Sequence, residues 1–248
     1  MNIVVCISSV PDTTAKINFT DNGSKFDTSG VQFVINPYDE FGLTKAMMLK
    51  EAMGGKITVI TVGDAAAEPV IRKALAIGAD DAVRINMNAK DSYSTAIEIA
   101  NYLKTNPADL IITGRESIDY NGGAVGGMLA EMLDLPFING CNGLDISGNT
   151  AKITREIDGG KENISANLPF VIGGQKGLVQ ESELRIPNMR GIMQARTKPL
   201  QVIESSNNEN LTASISFIKP SEKGACKLVA SDNVAELVSL LHNEAKVI

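Results

Sequence analysis

Short β-branched runs alternate with helical patterns through the first half of the chain. Ile3 to Ile7, Val31 to Ile35, Ile57 to Val62, Ala82 to Ile85 and Leu110 to Thr113 have strand length and strand composition. Their alternation with helical segments predicts an α/β fold, a mainly parallel sheet with helices on both faces. Asn36-Pro37 offers an N-cap followed by proline at the first helical position, and Asp39 and Glu40 complement the helix dipole. Phe41, Met48, Leu49 and Ala52 fall on one face of that helix, and Gly54-Gly55 stops it. Glu68 to Ile77, Ser92 to Lys104 and Gly126 to Leu133 repeat the scheme.

After Pro136 the texture changes. Ala151 to Ile157 and Glu162 to Asn167 flank Asp158-Gly159-Gly160, which predicts a β-hairpin extension of the sheet. From Gly173 to Pro199 glycine, proline and mixed charge leave no sustained period, a composition expected of a functional or flexible segment. Glu204 to Asn210 reads as a linker, and Val229 to His242 restores a helical pattern in a C-terminal arm. The expected organisation is an α/β domain over residues 1–200, carrying the hairpin and the loop at about 173–199, followed by a linker and arm over residues 201–248.

At 248 residues the chain suits one large core with an extension. No run approaches the roughly 18 apolar residues of a membrane span, and Met1 to Cys6 lacks the basic start of a signal peptide, so a cytoplasmic or mitochondrial-matrix protein is expected. A formal net charge of −6 argues against nonspecific nucleic-acid binding, which needs clustered Lys and Arg. Cys6, Cys141 and Cys226 form no CxxC pair and suggest neither a metal site nor a dithiol centre. With His242 the one histidine, a triad of nucleophile, base and acid is not expected, and no catalytic residue is assigned.

The most informative stretch is Thr113 to Met128. It leaves a strand, crosses a glycine-rich loop and enters a helix, so backbone N–H groups and the helix dipole converge where a phosphate could sit. Glycine would allow close approach to the backbone, although the same glycines also suit a tight turn and close helix packing. Neither G-x-x-x-x-G-K-[ST] nor a G-x-G-x-x-G after the first strand is present, which argues against a P-loop NTPase and an ordinary dinucleotide dehydrogenase. Ligands of parallel sheets sit at the carboxyl ends of strands, near the switch point. Cys6, Asn36, Val62 and Thr113 end four predicted strands and could share one crevice with the loop from Gly123 to Met128; capping alone would also explain Asn36.

Five segments resemble the beta subunit of electron-transfer flavoproteins, in that family's order. They are Asn36-Pro37-Tyr38-Asp39, Ala74 to Asp80, Gly114 to Asp119, Thr154 to Gly160 and Gly191 to Leu200. The resemblance implies a Rossmann-like domain that binds AMP, or a second FAD in electron-bifurcating members, while the redox FAD lies mainly in the alpha subunit. It implies cofactor contacts from Cys6, Asn36, Val62, Gly63 and Thr113 and from Gly123, Ala124, Val125, Gly126, Gly127 and Met128. The chain departs from the family where many members have Asn-Gln-Thr and it has Gly123-Ala124-Val125, and where Ser8-Ser9 replaces basic residues after the first strand. Glu156 resembles a residue facing the flavin domain of the alpha subunit, and Glu183 to Arg196 resembles a loop that docks acyl-CoA dehydrogenases, with Met189 at its apolar anchor. Methionine suits a surface that must fit several partners.

The resemblance thus implies an electron carrier without its own catalytic residues. It would pass electrons from acyl-CoA dehydrogenases or similar flavoenzymes toward a quinone reductase, as in fatty-acid oxidation. Two other readings stand beside it: an adenylate-transferring hydrolase or synthetase, which needs a metal–phosphate site, and a homodimeric stress-type ATP sensor.

Overall fold

The computed structural model describes residues 1–88, 90–206, 209–222 and 224–248. The elements run β1 (Asn2–Cys6), β2 (Ser9–Pro11), β3 (Phe19–Thr20), β4 (Lys25–Phe26), β5 (Phe33–Ile35), α1 (Pro37–Met53), β6 (Lys56–Val62), α2 (Glu68–Ile77), β7 (Asp81–Asn86), α3 (Ser92–Thr105), β8 (Leu110–Gly114) and α4 (Val125–Leu133). They continue with β9 (Phe137–Ser147), β10 (Thr150–Ile157), β11 (Gly160–Asn167), β12 (Phe170–Gly174), α5 (Met189–Ala195), β13 (Leu200–Glu204) and α6 (Val234–Ser239), the last extended by a π-helical turn, Leu240–Ala245.

A nine-stranded sheet in the order β11-β10-β9-β12-β8-β1-β6-β7-β13 organises the chain. From β9 to β13 every neighbouring pair is parallel, and the β10–β11 hairpin continues the sheet antiparallel. The inner strands are buried on both faces, which explains why β1 and β8 read as continuous apolar runs rather than alternating ones. One core layer lies under α1 and α2 around Val5, Leu43, Ile71 and Ile112, and the other lies under α3 and α4 around Ile60, Ile85, Ile99 and Leu129. The connections reverse between β1 and β8, because β6 and β7 follow β1 to one side while β8, β12 and β9 lie to the other.

Several elements depart from the sequence reading. Val31 to Ile35 does not join the large sheet. Its ordered part, β5, pairs antiparallel with β2 in a separate two-stranded piece, so Asn36 follows a side strand instead of ending a sheet strand. The segment from Gly173 to Pro199 contains the last two residues of β12 and the helix α5, whose seven residues are too few to reveal a period. Strands β9, β12 and β13 were not anticipated: glycines and polar residues interrupt the apolar pattern of the first, the second has three apolar residues before two glycines, and the third is a half-exposed edge strand. Asn207 and Asn208, inside the predicted linker, lie outside the described residues.

Candidate functional site

Three chain segments converge at the switch point. Beyond β1, the N–H of Asn36 donates to Ser8 O (3.0 Å), and the N–H of Ser8 donates to Asp39 Oδ2 (2.7 Å). Asn36 does not cap α1 with its side chain, as the Asn-Pro pattern suggested. Its Nδ2 donates instead to Glu116 O (2.9 Å) and Asp39 Oδ1 (3.1 Å), while its Oδ1 accepts from the N–H of Ile118 (3.3 Å). With 1% exposure, Asn36 works as a buried clasp that fixes the loop after β8 to the start of α1.

Burial pushes the Asp39 carboxyl up to about 7, against hydrogen bonds from the Ser8 backbone, the Asn36 amide and the Gly114 backbone that pull it down. The approach of β8 to this carboxylate requires Gly114. A Cβ there would collide with Asp39 Oδ1 and lie 2.9 Å from Tyr38 Cβ and 3.0 Å from Asn36 Nδ2. Cys6 is buried beside the same group, and desolvation first and the Asp39 charge second raise its thiol pKa far above the ordinary value. A thiol held neutral in this way is no nucleophile.

The loop from Arg115 to Ala124 is closed on itself by the N–H of Ser117 donating to Gly122 O (3.0 Å), and tied to β12 by the N–H of Arg115 donating to Gly174 O (2.7 Å). It delivers the chain to α4, which has no side-chain cap, since Ala124 at its start carries no acceptor. The N–H groups of Val125, Gly126 and Gly127 therefore face outward from the positive end of the helix without intrahelical partners. Gly126 has a packing role as well: a Cβ would lie 2.7 Å from Thr113 Oγ1 and 2.9 Å from Phe137 Cε2, so glycine is what lets α4 rest against the end of β8. Gly127 is unlike it, with the nearest atom of Phe137 at 3.5 Å.

Residues named from the sequence occupy the ends of β1, β6 and β8 and the start of α4. Cys6, Val62 and Val125, from β1, β6 and α4, share one apolar cluster. Thr113 abuts Gly126, and Gly63 extends the end of β6, its N–H donating to Ile85 O (3.0 Å). Gly123, Ala124 and Met128 are exposed at the mouth. Glu156 and Met189 lie apart from this crevice. The exposed Glu156 accepts at Oε2 from Gln175 Nε2 (2.8 Å), and the buried Gln175 accepts at Oε1 from Arg115 Nη1 (3.2 Å), so one amide links the loop after β8 to the hairpin. Met189 opens α5 at 75% exposure, with Ile186, Ile192 and Met193 exposed around it.

Gly114, Arg115 and Gln175 escaped the sequence reading as site residues, and Asp39 entered it as a dipole partner and within the Asn36-Pro37-Tyr38-Asp39 segment rather than as a site residue. Their positions depend on which strand ends become neighbours, which spacing along the chain does not reveal. A groove of about 590 Å³ lies elsewhere, between α2 and α5, lined by Pro69, Arg72, Ala76, Ile192 and Arg196. Among the described residues no cluster of His, Cys, Asp and Glu could hold a metal ion, and no helix is long and apolar enough to cross a membrane.

Comparison with known proteins identifies the family. Residues 24–208 match the model of the electron transfer flavoprotein domain. The chain is 38% identical to the electron transfer flavoprotein subunit beta of Bacillus subtilis over 262 aligned positions, covering 100% of each chain. It is 34% identical to the corresponding subunit of Syntrophomonas wolfei, covering 91% of this chain and 88% of the relative. Protein FixA of Azotobacter vinelandii is 32% identical, with 82% and 74% covered. With a parallel sheet, a glycine-lined switch-point crevice and full-length similarity of this kind, the chain belongs to the electron-transfer flavoprotein family as a beta subunit.

Proposed function

We propose that this chain holds AMP in the switch-point crevice and serves, within a heterodimer, as the scaffold and docking subunit for an FAD bound mainly by the alpha subunit. The single observation that carries the reading is the uncapped start of α4 beside a loop clasped by Asn36. The crevice fits an adenylate on its own features. Val125, Gly126 and Gly127 offer main-chain donors for a phosphate, Cys6, Val62 and Val125 offer an apolar floor for a base, and Gly123 and Ala124 leave room. Main-chain recognition compensates for the absence of side-chain donors at Gly123-Ala124-Val125, and it would serve equally the AMP half of a second FAD. The flavin, when bound, supplies the redox chemistry, and this subunit positions it and selects partners.

Residues 1–200 would form the nucleotide-binding unit, and the exposed apolar residues of the arm at 201–248, including Ile215, Ile218 and Leu228, would be covered by the alpha subunit. Met189, with Ile186 and Met193, would dock acyl-CoA dehydrogenases or similar flavoenzymes, whose electrons leave toward a quinone reductase. Glu156 would face the flavin-bearing part of the alpha subunit. The test is to measure reduction of the purified heterodimer by an acyl-CoA dehydrogenase: Met189→Ala combined with Ile186→Ala should slow it at least about tenfold while subunit ratio and flavin content stay unchanged, the equivalent of about 1.4 kcal/mol at the interface. Unchanged transfer would remove this surface from the docking site. The hydrolase and synthetase alternative requires phosphate–metal chemistry, for which the described residues offer no ligand cluster.

A further inference from the structure

We infer that Arg84 is a positioning residue of the nucleotide crevice, holding the turn after β6 in place through the carbonyl of Gly63. The inference rests on the proposed nucleotide site. Arg84 sits in β7 opposite Thr61 of β6. Its neighbours Val83 and Ile85 belong to the core layer under α3 and α4, so strand alternation turns Arg84 to the other layer, beneath the start of α2. There it is 6% exposed. Its Nη1 donates to Gly63 O (3.0 Å) and Asn86 Oδ1 (2.9 Å), Nη2 lies 3.4 Å from Glu68 Oε1, and the buried Nε has no partner.

The contacts extend to both sides. Asn86 Nδ2 donates to the two carboxylate oxygens of Glu204 at 3.2 and 3.0 Å, anchoring the arrangement on the edge strand β13. Thr61, 2% exposed, donates its hydroxyl to Ile7 O (2.9 Å), reaching the end of β1 beside Cys6. The carboxyl ends of β13, β7, β6 and β1 are thereby cross-linked by side chains, and Gly63 is held twice by β7, at its N–H by Ile85 O and at its C=O by Arg84.

Fold stability alone does not call for arginine at this place. A buried guanidinium must be desolvated, and its facing carboxylate, 3.4 Å away and partly exposed, offsets little of that cost. An aliphatic side chain cannot, however, donate to the Gly63 carbonyl. That bond sets the orientation of the Gly63–Asp64 peptide, where the chain leaves β6 just after Val62, a residue that packs on the same apolar cluster as Cys6 and Val125.

The experiment uses the heterodimer with its alpha subunit. AMP affinity by equilibrium dialysis and the thermal midpoint of the nucleotide-depleted complex are measured for wild type, Arg84→Met and Arg84→Lys. A lost positioning hydrogen bond predicts AMP binding weaker by about tenfold in Arg84→Met, with most of the loss recovered in Arg84→Lys, which keeps a charged donor group. Arg84→Met should lower the midpoint, since Gly63 O and Asn86 Oδ1 lose their donor, and Arg84→Lys should lower it less, so affinity is compared at a temperature well below every midpoint. Wild-type affinity in Arg84→Met, or a lowered midpoint with unchanged affinity, would overturn the assignment while leaving the nucleotide site standing. A wild-type complex that binds no AMP would overturn both. Should Arg84→Met fail to assemble, Asn86→Ala removes one brace of the guanidinium: a several-fold weaker affinity supports the assignment, and an unchanged one refutes it.

Discussion

Asn36→Ala is the most informative single change in the crevice. The side chain is buried and makes three hydrogen bonds, to Glu116 O, to Asp39 Oδ1 and from the N–H of Ile118. Truncation removes two bonds between neutral groups, worth about 1 kcal/mol each, and one to a carboxylate, worth about 1.5–3 kcal/mol, leaving buried partners unsatisfied. The expected loss is about 4 kcal/mol. For a chain of this size each kcal/mol lowers the melting temperature by about 2–4 °C, so thermal unfolding should shift down by about 10 °C. The loss is also directional: hydrogen exchange at Ile118 should accelerate far more than exchange in β10 and β11, which Asn36 does not touch. A shift under about 2 °C with unchanged exchange at Ile118 would refute the clasp.

Gly126→Ala should destabilise by about 1–3 kcal/mol, because its Cβ would press on Thr113 and Phe137, whereas Gly127→Ala should be near neutral; equal melting temperatures for the two would contradict the packing assigned to α4. The Asp39 carboxyl, raised to about 7 when folded from 3.8 when unfolded, binds more protons in the folded state between those values. Its stabilising contribution is therefore complete at low pH and declines as pH rises from about 4 to 7. Relative to wild type, Asp39→Asn should gain in melting temperature across that interval, and a constant offset would contradict the assignment. Gln175→Leu separates Arg115 from Glu156 and should weaken association with the alpha subunit about fivefold by titration; unchanged affinity would mean that the link does not set the hairpin carboxylate.

Strands β1, β6, β7 and β8 of the parallel core were legible because they are buried and appear as short apolar runs, and the helices because proline, acidic first turns and glycine stops mark their ends. Glycine density after Thr113 likewise pointed to the loop and to α4. The rest depended on long-range placement. Asn36 reads identically as a cap or as a clasp until Glu116, eighty residues away in sequence, is brought beside it. The need for glycine at Gly114 arises from Asp39 on another element, and Gln175 gains meaning only when β12 inserts between β8 and β9. Short or edge elements such as α5 and β13 bury too little to impose a pattern on their residues.

The most direct measurement is the identity of what the purified complex releases on denaturation. Co-purification with an electron-transfer flavoprotein alpha subunit, followed by mass spectrometry of the protein-free supernatant, should give one FAD and one AMP per heterodimer, with the AMP lost from Asn36→Ala. A complex that releases one FAD and no second adenine-containing molecule, with Asn36→Ala indistinguishable from wild type, would contradict a nucleotide held at the start of α4.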